Sequence, residues 1–332
     1  MNKKYYLLLI LLVFIAMILD VCLGSVYIQP SLLIKALFNN ADATTNYIIL
    51  DIRLPRVIMA VLSGAGLSLA GVLMQTLFRN PLAGPFVLGI SGGAGLGVAL
   101  LVLGGTLLGI SSMNSWSIVS ASVIGSSLVL GLILMLSLRI KDTMGLLIVG
   151  LMVGSLSSAV IGILAYFSTS DQLQRYVFWS LGSLGNLQWD EISIMLIVLL
   201  ICLGLLLTIL KPLNSLLLGE SYARSLGTSI SKTKYLSIII TSLLAGAITA
   251  FAGPIAFIGL AVPHLARLWF PTVNHHTLIP TSMLMGALLL TVCDMIAQVP
   301  FNVFSVPINA VTSLIGAPII IWLILKKKNL HF

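Results

Sequence analysis

Ten apolar stretches recur along this chain, and no other feature limits its fold as strongly. The first lies within residues 5–24, and the others lie near 54–77, 86–109, 116–138, 143–167, 191–210, 233–253, 255–270, 277–298 and 305–325. A membrane-spanning helix needs about 20 apolar residues, so these blocks leave no room for a soluble domain. Only 8% of the 332 residues are charged, against 59% hydrophobic, whereas soluble domains carry roughly a quarter charged residues. The reading is an all-α polytopic membrane protein of about ten transmembrane helices in one integral domain, 1–332. The block at 255–270 is short and broken by Pro254 and Pro263, so it is not expected to cross as a regular helix. Residues 25–52 read as an external loop with some helix.

Lys3 and Lys4 precede the first block, a pattern shared with signal peptides. The apolar run is long and lacks a small-residue cleavage site, so it reads as a retained span. With ten crossings and the N-terminus inside, twelve Lys and Arg fall in cytoplasmic segments, including Arg79, Arg139, Lys211, Arg224, Lys232, Lys234 and Lys326. Four, Lys35, Arg53, Arg56 and Arg175, fall outside, and Arg267 is unplaced. The positive-inside rule supports this orientation, with both termini cytoplasmic. The net charge of +8 therefore orients the chain in a membrane, and no nucleic-acid partner is expected.

Small residues mark the packing faces. In 62–71, LSGAGLSLAG, Gly64, Ser68 and Gly71 stand three or four apart, which lets helices press together where apolar contact alone gives no drive. LSGAGLSLAG lies over LAGAITAFAG at 244–253 at an offset of 182 residues, and Pro81 lies over Pro263. The copies lie in the second and seventh blocks, an odd offset of five spans, so they run oppositely, as in a 5+5 inverted repeat around a central path.

Catalytic chemistry is not legible. The sequence contains no GxxxxGK[ST] loop, the backbone cradle for nucleotide phosphates, and no zinc-site spacing among His264, His275, His276 and His331. The pair His275–His276 reads as a solvated loop. Cys22, Cys202 and Cys293 lie far apart in apolar runs and read as packing residues. No catalytic residue, metal or cofactor is expected. Asp20 and Asp294 lie near span ends and are expected to reach the interface. So few intramembrane ionisable groups argue against a proton-coupled carrier, although an ion-gradient-driven secondary transporter or channel remains the rival from another class.

Two segments between spans stand out. KPLNSLLLGESYARSLGTSISKTK at 211–234 places Glu220 and Arg224 at i, i+4 spacing between Gly219 and Gly227, the pattern of a short exposed helix with a glycine stop. QRYVFWSLGSLGNLQW at 174–189 reads either as an aromatic interfacial belt or as a short helix along the outer face.

RLPR at 53–56 with its Gly-rich pair of spans, WSLGSL with the later Trp189, LGESYARSLG at 218–227, and GPIAFIGLAVPHLARL at 253–268 together closely resemble the FecCD family. Its members are membrane permeases of ABC importers for iron-siderophores, haem and cobalamin. The resemblance implies a multi-pass inner-membrane permease without enzymatic activity. It also implies a second permease copy, identical or related, a pair of ATP-binding subunits and an extracytoplasmic substrate-binding protein. An iron-siderophore is the expected cargo, with haem and cobalamin as alternatives. Glu220, Ala223, Arg224 and Gly227 match the family's ATPase-coupling segment. Arg53 and Arg56 match basic residues that meet carboxylates of the binding protein, and Thr143 and Met144 lie where members place a cytoplasmic gate. Two departures are visible: Gln298 follows Asp294 where some members carry an arginine, and NPLA continues with Gly84–Pro85.

Overall fold

A computed structural model describes residues 3–24, 26–38, 40–105, 114–140, 142–185, 187–298 and 305–326. Lys141, His331, residues 106–109 of the third block and the basic tail beyond Lys326 lie outside the described residues. Among the described residues the chain is helical, without strands. The long helices are α1 (Lys3–Cys22), α4 (Leu54–Phe78), α6 (Ser115–Arg139), α7 (Thr143–Tyr166), α9 (Trp189–Leu216), α11 (Ile230–Ala252) and α13 (His275–Ala297). Each is long and apolar enough to span a bilayer. Shorter elements are α2 (Pro30–Leu37), α3 (Ala43–Tyr47), α5 (Ile90–Val102), α8 (Ser170–Ser180), α10 (Glu220–Ser225), α12 (Ile258–Trp269) and α14 (Ile308–Lys326). The protein is a polytopic all-α membrane protein.

Several boundaries move from the sequence-based expectation. The described part of the block at 86–109 holds a 3₁₀ turn, Pro85–Leu88, and the thirteen-residue α5. Helix α9 continues through Pro212 to Leu216, so the connection expected from 211 is shorter. The stretch 25–52 is largely helical, and a π-helical turn, Ile48–Arg53, leads directly into α4. The region 174–189 contains a short helix, α8, whose Tyr176 and Trp179 pack against Val98 and Val102.

The described residues form two compact units interleaved along the chain. The first comprises 1–69, 183–200 and 255–331, and packs α13 against α1, α12 and α14. Gly64 of α4 meets Gly286 of α13 so closely that a Cβ on either would run into the other's carbonyl. Helix α12 is only twelve residues long, about 18 Å at 1.5 Å per residue, so it falls short of a regular crossing. Its entry at Phe257 has φ 66°, and the preceding Ala256 amide donates to Asn309 Oδ1 of α14 at 3.1 Å. Backbone that leaves helical geometry at membrane depth must find such a partner.

The second unit comprises 70–182 and 201–254, with α5 and α6 as its tightest pair. Gly93 and Gly125 face each other, and a Cβ on Gly97 would collide with the Ala121 carbonyl. Gly246 of α11 lies against Ser126 of α6. Cys22, Cys202 and Cys293 are buried free thiols, in keeping with packing roles.

Gly131 has nothing within 4 Å of an added Cβ, which supplies an internal control. Gly125→Val should destabilise the detergent-solubilised protein by about 1–3 kcal/mol through overpacking. Gly131→Ala should be neutral or raise stability by up to about 1 kcal/mol. Thermal melts of the two variants check this.

Candidate functional site

The segment between α9 and α11 is built by two glycines. Gly219 has φ 109° and Gly227 has φ 76°, conformations that cost an L-residue roughly 1–2 kcal/mol. Between them α10 closes in a Schellman arrangement: Thr228 N–H donates to Ala223 O at 3.1 Å, and Gly227 N–H donates to Arg224 O at 3.0 Å. The glycine stop expected at 227 is present.

The side chains on α10 differ from the expectation in two respects. Glu220 pairs with Lys234 of α11 at 3.1 Å rather than with Arg224. Ala223 is fully buried in a cluster with Leu216 and Ile230, so it anchors α10 to its own chain and offers no surface. The exposed groups include Arg224 and Gly227 with Leu217, Leu218, Tyr222 and Leu226. These four apolar residues were missed, although their spacing around α10 was visible. Arg79, which has φ 45°, donates from Nη2 to Leu216 O at 3.3 Å and braces the end of α9. Thr143 begins α7, where the Asp142 carboxylate accepts from the Met144 and Gly145 amides at 3.3 and 3.1 Å. Met144 is 53% exposed.

In the first unit, the two arginines are committed inward. Arg53 is 7% exposed and donates to the carbonyls of Val21, Cys22 and Val26, at 2.6, 3.3 and 2.5 Å. Arg56 forms a bidentate pair with Asp294: Nε to Oδ2 is 2.7 Å and Nη2 to Oδ1 is 2.8 Å. Asp294 is fully buried, so it does not reach the interface as expected. Asp20 is also fully buried and accepts from Gln298 Nε2 at 2.6 Å. Gln298 also donates to Asp294 Oδ2 at 3.3 Å, so the residue standing in place of a further arginine links the two carboxylates. This network fastens α1, α4 and α13. The histidine expectation is also corrected: His275 is buried at the start of α13, and His276 is exposed. Among the described residues, no group of three or more His, Cys, Asp or Glu could hold a metal ion.

Removing one partner of a buried ion pair leaves the other charge uncompensated, at about 3–5 kcal/mol. Arg56→Ala should therefore lower stability by about that amount, and the double variant Arg56→Gln/Asp294→Asn should lose less. A double-mutant cycle on detergent melts reads the difference.

Comparison with known proteins agrees with this architecture. The profile of the FecCD transport family matches residues 9–326. The vitamin B12 import system permease protein BtuC of Salmonella typhi is 36% identical over 325 residues, 98% of this chain and 96% of that protein. The BtuC of Salmonella newport strain SL254 matches to the same extent. A solved metal-chelate-type ABC transporter in an inward-facing conformation superposes with a TM-score of 0.87 at 29% identity, covering 98% of this chain and 100% of that one. PsaBC from Streptococcus pneumoniae in complex with Fab gives a TM-score of 0.56 at 16% identity over 90% of this chain and 100% of that one, a likeness of fold alone. With its helical membrane architecture and a profile match running nearly end to end, this chain belongs to the FecCD transport family as an ABC-importer permease.

Proposed function

We propose that this permease carries a bulky metal chelate across the cytoplasmic membrane, driven by a pair of ATP-binding subunits that engage α10. The observation that carries the reading is the exposed face of α10 and its approach. Leu217, Leu218, Tyr222 and Leu226 stand 41%, 65%, 53% and 58% exposed, beside Arg224 and among Lys211, Lys232 and Lys234. An apolar patch rimmed by charge marks a protein contact, and tyrosine and arginine are the residues that most often anchor one. Burial of Ala223 and the turn at Gly227 make the segment stiff enough to transmit a push. Alternating access follows from ATP-driven closure of the partners against this segment.

On this reading the whole chain is one permease domain built from inverted repeats, with both termini cytoplasmic. It works with a second permease copy, itself or a related chain, and with an extracytoplasmic binding protein. Thr143 and Met144 form part of the cytoplasmic gate, in keeping with the exposure of Met144. An iron-siderophore is the cargo expected from the family resemblance. Cobalamin is the second reading, favoured by the relatives that import vitamin B12. Competition between a labelled ferric siderophore and cobalamin for uptake separates the two.

Tyr222→Asp with Leu226→Asp should weaken co-purification of the ATP-binding subunit about tenfold or more, the cost of losing interface anchors. Gly227→Val should insert normally but transport poorly, because the stop then costs about 1–2 kcal/mol. Normal uptake by both variants at normal abundance would reject the coupling role. Uptake that follows a proton or sodium gradient without the ATP-binding subunit would favour the secondary transporter.

A further inference from the structure

Helix α2 is fastened to the end of α1 that the charge pattern assigns to the exterior, yet it leaves apolar side chains uncovered. Pro30 fits its first turn, where a missing amide costs nothing, and the amides of Phe38 and Asn40 donate to Lys35 O at 3.2 and 2.8 Å where the helix stops. Leu33 and Ala36, on the inner side, are buried in a cluster with Val21 and Cys22 of α1, Ile49 of the π-helical turn and Val57 of α4. The approach is tied down as well, since Ile28 N–H donates to Cys22 O at 3.0 Å and Arg53 holds the Val26 carbonyl. At 3.6 residues per turn, Ile34, Leu37 and Phe38 share the outward side, with Ser31 and Lys35 as a polar edge beside them. These three apolar residues, and Val26 and Tyr27 just before the helix, are all more than half exposed.

Position identifies what covers this side. Helix α1 has 20 residues, about 30 Å at 1.5 Å per residue, which equals a hydrocarbon core of about 30 Å. With Lys4 at one edge of the core, Cys22 reaches the other. Leu8, Leu11 and Ile15 are exposed along one side of α1, and Ile18 and Cys22 continue that side at helical spacing. Ile18 is only partly exposed and Cys22 is buried, because the α2 cluster lies over them. Helix α2 therefore sits on the lipid-facing flank of α1, at the level where hydrocarbon gives way to headgroups.

An amphipathic helix at that level lies in the plane of the interface with its apolar side toward the acyl chains. A lysine at the edge of such a side reaches the headgroups with its charge while its stem covers apolar surface. Lys35 is exposed and belongs to neither salt bridge found among the described residues. The acids of this segment, Asp42 and Asp51, sit at the cap of α3 and on the π-helical turn, outside α2. We propose that α2 is an interfacial anchor whose partner is the phospholipid surface around the outer end of α1. Ile34, Leu37 and Phe38 enter the leaflet, and Lys35 meets lipid phosphate. Such an anchor is independent of the cargo and of the ATP-binding subunits.

The test uses the full-length permease in nanodiscs of phosphatidylcholine and phosphatidylglycerol, spin-labelled singly through Ile34→Cys or Phe38→Cys. Thr44→Cys is the aqueous control, because exposed Thr44 lies at the start of the helical run Ala43–Phe78, whose 36 residues span about 54 Å and outrun the core. The native thiols, Cys22, Cys202 and Cys293, are buried, and the signal of the unsubstituted chain is subtracted. Relaxation by oxygen, which partitions into lipid, against relaxation by a water-soluble nickel chelate should place the labels at 34 and 38 about 5–10 Å inside the headgroup boundary. The label at 44 should read as aqueous. In an arm that needs no substitution, a phospholipid with a photoactivatable group near its headgroup should attach to residues 26–38 of the wild-type chain. If the labelled variants insert poorly, this arm decides, and absence of adducts on 26–38 overturns the proposal. Labels at 34 and 38 as open to the nickel chelate as the label at 44 overturn it too. So does shielding that appears only when the extracytoplasmic binding protein is added, which would make that protein the occupant. Exclusion of both probes with dipolar broadening between labels on two chains would make the occupant a second copy, and equally overturns it.

Discussion

Helices already inside a bilayer gain little from burying apolar surface against each other, so their association depends on how closely the backbones approach. Everything else in this protein depends on that closeness. Gly64 against Gly286 in the first unit, and Gly93 against Gly125 in the second, leave no room for a single added carbon. Serines and threonines complete these faces without disturbing them; Ser68, for example, returns its hydroxyl proton to the Gly64 carbonyl at 2.7 Å. The short or broken elements follow the same rule. Where α12 is entered through non-helical backbone, Asn309 supplies the acceptor that a helix would have provided.

Charge is then distributed by what that packing leaves available. Asp20, Asp294, Arg53 and Arg56 lie at one end of three packed helices, where an unpaired charge would be costly. The structure engages them internally through a bidentate pair, a bridging glutamine and three backbone carbonyls, with only Asp20 Oδ2 among their carboxylate oxygens left without a hydrogen bond. Asp51, Asp190 and Arg224 are left facing outward. The two arginines of RLPR, expected at the docking surface, hold partners within the chain in this structure.

Much of the candidate coupling site was legible because its determinants are local. A helical stop at Gly227 needs only a residue that accepts positive φ, and the spacing from Gly219 bounds the helix between them. Which face of α10 points outward was not legible. That depends on Leu216 and Ile230 closing over Ala223, and on Lys234 drawing Glu220 away from Arg224. Likewise, nothing near Arg56 in the chain names its partner, since Asp294 is 238 positions away. His275 looked like part of a solvated pair because its burial is decided by the start of α13.

The amino-acid sequence by itself determined that this chain is a helical membrane protein, where its backbones come close, and which family it resembles. Those properties follow from hydropathy, residue size and backbone freedom, which act over a few neighbouring positions. Only the tertiary structure decided which charges are spent and which remain free, because ion pairing depends on distances between helices remote in the chain. The same reason put Ala223 inside and Tyr222 outside on a helix of six residues.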